Sequence, residues 1–404
     1  MEDKKNLFDH LKHDLRPEEC LLHEIRNNRK IVFGIPKENL ARETRLVLTP
    51  EAVGILTREG HEILVESSAG AGMNYSDLRY AENGATIVDS AEDAFSADII
   101  LKIAPPSTKE ILMMNDGACL FSMLQLSLMD KESLTTMMKK RISAIAYDLI
   151  RDEQHNFPVV AAIHEIEGLA AISITSQYMS NDNGGKGLLL GGIAGVSPTE
   201  VIILGAGIAG SAAARAALTL GAHVKVFDHD IGKLRKLQQQ LGHHLFTSVF
   251  HPTTLMKAFK SADAVIGSLR YLAAGERFLV PEDMVATMKK GAVLIDLSID
   301  QGGCFETSEC RSLNHPTYVR NGVIHYCVPN LSSRVGRTAS MALSNILAPM
   351  MVRVARNGEL KNILLDDDGL RKGVYLYNGL IANHLVGDYF NLPGSDVDLL
   401  LSGF

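Results

Sequence analysis

Short apolar runs recur along the chain at intervals that leave room for a helix between them. Ile31 to Ile35, His61 to Val65, Ala97 to Ile103, Ala118 to Met123 and Ser143 to Tyr147 read as buried strands. Thr49-Pro50 supplies the N-cap and first-turn proline of a helix after the first of them. That alternation predicts a parallel α/β domain. A long, mostly apolar helical segment then runs from Ala161 to Met179, and a second series of strands follows it. After Asn330 a helical run from Ala339 to Arg356 carries the chain back toward the first domain. The expected architecture is a substrate domain of residues 31–160 and 337–404 with a nucleotide domain, 161–336, inserted into it. Residues 1–30 alternate charge with isolated apolar positions and are expected to form an extension, a surface helix packed on the body or on a neighbouring subunit.

The inserted series opens on the most specific motif of the chain. Val201 to Leu204 is an apolar strand, Gly205-Ala206-Gly207-Ile208-Ala209-Gly210 follows at once, and a helical run from Ser211 to Leu220 leads to a second strand, His223 to Phe227, ending on Asp228. In such a unit Gly205 tightens the turn, Gly207 lets the backbone approach a pyrophosphate, and Gly210 lets the helix sit close on the strand. The N–H groups of the helix start, through Ile208 and Ala209, face the phosphates. Asp228 stands where an acid binds a ribose 2′-hydroxyl, which favours NAD over NADP, while Lys225 and Lys233 lie near enough to keep NADP open. Ala262 to Gly267, with Leu269 just beyond, and Ala292 to Asp296 are further strands whose ends flank the same ligand side. The fold class is therefore α/β, a Rossmann-type doubly wound parallel sheet inserted into a second parallel α/β domain, with a substrate cleft between them.

Composition narrows the function classes. An apolar fraction of 46% and a charged fraction of 22% are those of a globular protein, and a net charge of −7 without a basic stripe argues against nucleic acid as a partner. Five cysteines without CxxC spacing read as reduced thiols rather than disulfides or a zinc site, so no metal is expected. Met1 to Lys5 carries both signs of charge with no apolar core behind it, which argues against a signal peptide. No uninterrupted apolar run reaches membrane-spanning length. The expected location is the cytoplasm.

Several stretches carry candidate chemistry. In the charged loop after the first strand, Lys37 and Arg42 read as solvated. Arg45, followed by Leu46-Val47-Leu48, is expected at a strand edge, where it could grip a carboxylate bidentately. Lys102 interrupts an apolar strand, so it stands at the sheet's open end or is buried. Either placement suits a substrate carboxylate or carbonyl oxygen better than it suits core packing. Gln125 places an amide among apolar neighbours past another strand. Asp300 reads as a turn former or a cleft acid, and its position past a strand's carboxyl end favours the acid. Lys186, in Gly184-Gly185-Lys186-Gly187, lacks the following Ser or Thr and the preceding strand of a P-loop. With no nucleophile signature, hydride transfer by a bound cofactor is the expected chemistry, the protein orienting substrate and moving protons.

From Ile31 onward the chain resembles the alanine dehydrogenase family, which also includes the NAD-binding subunit of proton-translocating transhydrogenase. The resemblance rests on Ile35-Pro36-Lys37-Glu38, Glu43-Thr44-Arg45, Thr49-Pro50, Gly60-His61-Glu62, Gly70-Ala71-Gly72, Leu101-Lys102, Leu189 to Val196, the glycine motif, and Asp296 through Asp300-Gln301-Gly302-Gly303-Cys304. His325 to Leu331 resembles the family segment that closes over the nicotinamide, which implies cofactor contacts from Val328, Asn330 and Leu331. The resemblance implies reversible oxidative deamination of L-alanine to pyruvate and ammonium with NAD, in a homo-oligomer, typically a hexamer. It implies that Arg45 and Lys102 hold the substrate carboxylate and keto oxygen and that Asp300 is the acid/base. Two departures stand out. The family's Leu-Phe-Thr-x-Leu-His-Leu segment has a catalytic histidine where this chain has Gln125, and glutamine cannot exchange a proton near pH 7. His164, beside the cofactor cleft, stands where the family often has serine. Three readings stay open: an alanine dehydrogenase, a related oxidoreductase or transhydrogenase-like subunit, and a silent NAD(H)-binding protein.

Overall fold

The computed structural model describes residues 30–39, 43–242, 245–269 and 279–402. The expected N-terminal surface helix and Arg42 lie outside the described residues. Fifteen strands occur among these residues, in chain order β1 (Val32–Ile35), β2 (Glu62–Glu66), β3 (Thr86–Val88), β4 (Ile99–Leu101), β5 (Cys119–Ser122), β6 (Ser143–Ala146), β7 (Glu200–Leu204), β8 (His223–Phe227), β9 (Phe246–Ser248), β10 (Ala264–Gly267), β11 (Val293–Asp296), β12 (Thr317–Arg320), β13 (Val323–Tyr326), β14 (Val374–Tyr377) and β15 (Leu380–Ile381). They build two sheets. The first has order β15-β14-β6-β5-β4-β1-β2-β3 and the second β12-β13-β11-β10-β7-β8-β9. Pairing is parallel except where β14 meets β6 and β15, and where β12 meets β13.

Three helices position the site: α1 (Pro158–Met179), α2 (Ile208–Thr219) and α3 (Gly336–Arg356). The chain leaves the first sheet through α1, builds the second, and returns through α3. Ala339, Leu343, Leu347 and Met351 of α3 share a core with Phe33, Leu46 and Val65. That shared core, with β14 and β15 in the first sheet, is the physical form of the insertion. The second sheet is covered on both faces, as a parallel sheet requires.

The strands are shorter than the apolar runs suggest, because a ladder ends where its neighbour ends. β4 stops at Leu101. Lys102 is therefore the first residue past it, its N–H still donating to the Phe121 carbonyl at 2.9 Å. Leu46 to Leu48 differs from the expectation of a strand: it is extended chain lying on α3. Its backbone donors go to helix hydroxyls, Leu46 N to Ser340 Oγ and Thr49 N to Ser344 Oγ, both at 2.8 Å. A strand-like pattern without a neighbouring strand satisfies its N–H groups wherever hydroxyls are offered.

By length and composition alone α1 is apolar enough to cross a membrane, with a mean hydropathy of 1.4 over its most apolar 18 residues. In the fold it packs against α2 and α3, with Ala171, Ile174 and Thr175 buried. Its contact with α2 is as close as backbones allow, since a Cβ at Gly168 would sit 2.2 Å from the Ala209 carbonyl oxygen.

Candidate active site

The second sheet reverses strand order between β7 and β10, and a ligand crevice opens there beyond the carboxyl ends of the strands. Each motif glycine has a measurable reason. Gly205 adopts φ +106°, and a Cβ there would lie 2.6 Å from the Ser268 carbonyl oxygen. A Cβ at Gly210 would lie 1.9 Å from the Gly205 oxygen, so only glycine lets α2 start inside the turn. Gly207 faces open space, with nothing within 4 Å of its would-be Cβ. The helix therefore begins at Ile208, earlier than Ser211, and presents its first N–H groups to that space. A cavity of 560 Å³ runs from Ala206, Gly207 and Ile208 to Lys233 and Lys236. These features fit a dinucleotide pyrophosphate.

Asp228 is buried and works first as a clamp. Its Oδ2 accepts from Ala206 N at 2.7 Å and its Oδ1 from Asp230 N at 2.8 Å, tying the glycine turn to the end of β8. A carboxylate has about four lone-pair positions, so a ribose hydroxyl can still donate to it. On the other half of the crevice, Gly267 ends β10 and Leu269 lies just beyond, buried. Ser298 Oγ donates to the Leu269 carbonyl at 2.6 Å, which joins the ends of β10 and β11. Asp296, fully buried, accepts from Ser298 N, Cys304 N and Ser308 Oγ at 2.9, 2.9 and 2.6 Å and so shapes the turn that carries Asp300. Asp300 itself is exposed, on a short 3₁₀ turn, Ile299–Gln301. Val328 and Leu331 are buried beside this turn, and Asn330 takes a left-handed φ of +58° that starts a further 3₁₀ turn, Leu331–Val335.

The first sheet contributes a wall of paired charges. Arg45 is only 2% exposed, and its bidentate fork is already taken: Nε and Nη2 donate to the two oxygens of Glu43 at 2.8 and 2.7 Å. The edge left for another partner is Nη1, which donates to Ser332 Oγ at 3.0 Å. Asn330 Nδ2 and Ser333 Oγ complete the shell of Glu43 at 2.7 and 3.2 Å. Burial opposes both charges, but each partner outweighs it, holding the Glu43 carboxyl below its usual range and the Arg45 guanidinium above. Lys102 is as deeply buried, with Nζ 2.9 Å from Glu38 and 3.1 Å from Glu110. Burial alone would strip its proton, and the two carboxylates keep it on, raising Lys102 and lowering Glu110. Two acids on one ammonium leave a surplus, and the fully buried Glu38 is raised by that burial. Tyr147 donates to the Lys102 carbonyl at 2.9 Å and lies in the fields of Arg45, Glu38 and Glu43, so the two cations share one wall.

Glu167 links this wall to the opposite one. Ser332 Oγ, which takes the Arg45 hydrogen bond, lies 3.3 Å from Glu167 Oε1, and Glu167 feels both the Arg45 charge and the Asp300 carboxylate. Arg45 and Asp300 thus both act on Glu167, and Lys102 joins Arg45 through Tyr147, while α2 of the glycine turn packs on α1 at Gly168. Gln125 is half-buried just past β5, heading the 3₁₀ turn Leu126–Leu128. His164 lies one turn before Glu167 on α1, half-buried, and so on the same face. Among the described residues no His, Cys, Asp and Glu group is arranged to hold a metal. Another cavity, of 410 Å³, opens at the amino ends of the first-sheet strands, near Ile31, Asp98 and Ser143, away from all of these residues.

Glu38, Glu43, Glu110, Glu167 and Asp296 were not singled out by the sequence reading. The signal for Glu167 was available: a carboxylate inside an apolar helical run is as anomalous as Lys102 inside an apolar strand.

Two family models match nearly the whole described chain, the "Alanine dehydrogenase/PNT, N-terminal domain" over residues 34–167 and the "Alanine dehydrogenase/PNT, C-terminal domain" over 171–384. An alanine dehydrogenase of Staphylococcus saprophyticus is 35% identical over 373 residues, covering 92% of this chain and all of that protein. One of Bacillus subtilis is 35% identical over 357 residues, covering 88% and 94%. Among solved structures, an L-alanine dehydrogenase superposes with a TM-score of 0.83 at 34% identity, covering 89% of this chain and 99% of that one. A transhydrogenase from Sinorhizobium meliloti, at 24% identity and a TM-score of 0.73 over 88% and 99% of the two chains, shares the fold. With the crevice, the glycine turn and these matches in agreement, the chain belongs to the alanine dehydrogenase/PNT family.

Proposed function

We propose that the protein is an NAD-dependent oxidoreductase acting on the CH–NH₂ group, which converts L-alanine, NAD+ and water to pyruvate, ammonium, NADH and a proton, and the reverse. The observation that supports this reading is the Arg45–Ser332–Glu167 connection, since Glu167 also carries the influence of the Asp300 carboxylate. The nicotinamide supplies the two-electron acceptor. Gly205, Gly207, Ile208, Ala209 and Gly210 would hold its pyrophosphate, Asp228 and Lys233 the adenosine end, and Gly267, Leu269, His164, Val328, Asn330 and Leu331 the nicotinamide end.

In this reading the Nη1 edge of Arg45, now donating to Ser332, and the ammonium of Lys102 bind the substrate carboxylate and keto oxygen. Asp300 exchanges protons at the open side, and Gln125 orients a carbonyl or imine by hydrogen bonding. The boundaries at 160/161 and 336/337, a homo-oligomer such as a hexamer, and a cytoplasmic location belong to the same proposal.

The protein given pyruvate, ammonium and NADH is expected to consume NADH, and a screen of small 2-oxo acids ranks its substrates. Tight NADH binding with no turnover on any of them, unrescued by Gln125→His, would contradict the assignment and leave a silent NADH-binding protein.

A further inference from the structure

A deaminating crevice needs a group that takes a proton from the substrate nitrogen, and most titratable groups here are already committed. Glu43 is locked to Arg45, and Lys102 is held protonated by Glu38 and Glu110. The Tyr147 hydroxyl is buried and donates to the Lys102 carbonyl, and Gln125 carries an amide with no proton to exchange. Asp300 sits at the exposed rim. Glu167 is different in placement: it stands on α1 within the influence of both Arg45 and Asp300, with Ser332 donating to it from the turn after β13.

We propose that Glu167 is the proton-exchanging carboxylate of this crevice, accepting a proton from the substrate's ammonium nitrogen and passing it outward past Asp300. The proposal rests on the amino-acid dehydrogenase reading above. In the step itself one N–H bond of the ammonium breaks and one O–H bond forms on Glu167. The nitrogen keeps the electron pair it needs to form the C=N bond, and the carboxylic acid returns its proton to water at the Asp300 rim.

The surroundings tune Glu167 for this. Burial first, and then the Asp300 carboxylate, push it up to about 7, while Arg45 and the two Ser332 hydrogen bonds pull the other way. Arg45 from the loop after β1, Asp300 from the turn after β11 and Ser332 from the turn after β13 act on it, with His164 one turn earlier on its own helix. Glu43 and Tyr147 stand behind Arg45. A general base works best when its pKa lies near the working pH.

The test compares the wild-type protein with Glu167→Gln and Glu167→Asp, reading the pH profile of kcat, NADH affinity and thermal midpoint. Glu167→Gln is expected to lower kcat by ~10²–10⁴-fold and to erase the limb near neutrality, with NADH affinity kept within about threefold. Glu167→Asp is expected to retain part of the rate with a displaced limb. The sign of the stability effect follows from linkage. A carboxyl raised from 4.5 to about 7 holds its proton in the folded state where the unfolded chain has lost it. Wild-type stability therefore falls relative to Glu167→Gln as pH rises through that window, and the difference is constant above it. A Glu167→Gln enzyme with unchanged kcat and pH profile, or a thermal difference independent of pH, would overturn the proposal. If the wild-type protein turns over no amino acid, the fault lies with the substrate reading, and the thermal comparison still decides whether Glu167 titrates in the crevice.

Discussion

Replacing Glu43 with alanine lowers the stability of the protein by about 3–5 kcal/mol, the cost of leaving a buried charge without its partner. Arg45 is buried to within 2% of complete and keeps its charge because Glu43 accepts from Nε, from Nη2 and from its backbone N–H. Ser332 alone cannot compensate a guanidinium in that position. In the double variant Glu43→Ala/Arg45→Met most of the loss is recovered, since an apolar side chain needs no counter-charge. Urea denaturation of the two variants measures both. The loss is also sensitive to acid. Glu43 has a lowered pKa in the folded state, so its contribution is fully present above its ordinary value of 4.5 and disappears as pH falls through the lower, folded value. Equal stabilities for Glu43→Ala and wild type would mean that the pair does not hold the loop.

Gly207→Ala and Gly210→Ala are expected to fail in different ways. At Gly210 a Cβ meets the Gly205 carbonyl oxygen at 1.9 Å, backbone against backbone, so α2 must move off the strand. Such overpacking costs about 1–3 kcal/mol or more, and nucleotide binding goes with it. At Gly207 the backbone is extended, with φ −72° and ψ −168°, and a Cβ meets nothing, so the variant folds normally. Its Cβ instead occupies the space where a pyrophosphate must approach, and NADH affinity falls by roughly tenfold or more, about 1.4 kcal/mol per decade. The chain has no tryptophan, so nicotinamide fluorescence reads binding without an overlapping donor. Full NADH affinity in Gly207→Ala would place the pyrophosphate elsewhere.

The legibility of the chain follows from how far each interaction reaches. The glycine turn was readable because strand, glycines, helix and acid are consecutive, and each glycine answers a contact within a few residues or at the next strand. Lys102 was readable because a cation in an apolar run has few explanations, and the structure satisfies both of those considered: past the end of β4, and buried. The occupation of Arg45 was not readable. Its fork is filled from two residues away, but its remaining edge donates to Ser332, 287 residues on, across the return of the chain. The same holds for Leu46 to Leu48, whose strand-like pattern is satisfied by hydroxyls of α3, and for Glu167, whose partners come from the loops after β1, β11 and β13. Periodicity reports which face of an element is apolar. It does not report which distant loop supplies the partner of a buried charge.

The arrangement of the crevice is tested most directly by a crystal structure of the protein with NADH and pyruvate. The pyruvate carboxylate and keto oxygen are expected within hydrogen-bonding distance, about 2.7–3.2 Å, of Arg45 and Lys102. The nicotinamide is expected above the substrate, with Asp300 on the far side. Pyruvate bound away from the two cations, or a nicotinamide that does not lie between them and Asp300, would contradict it.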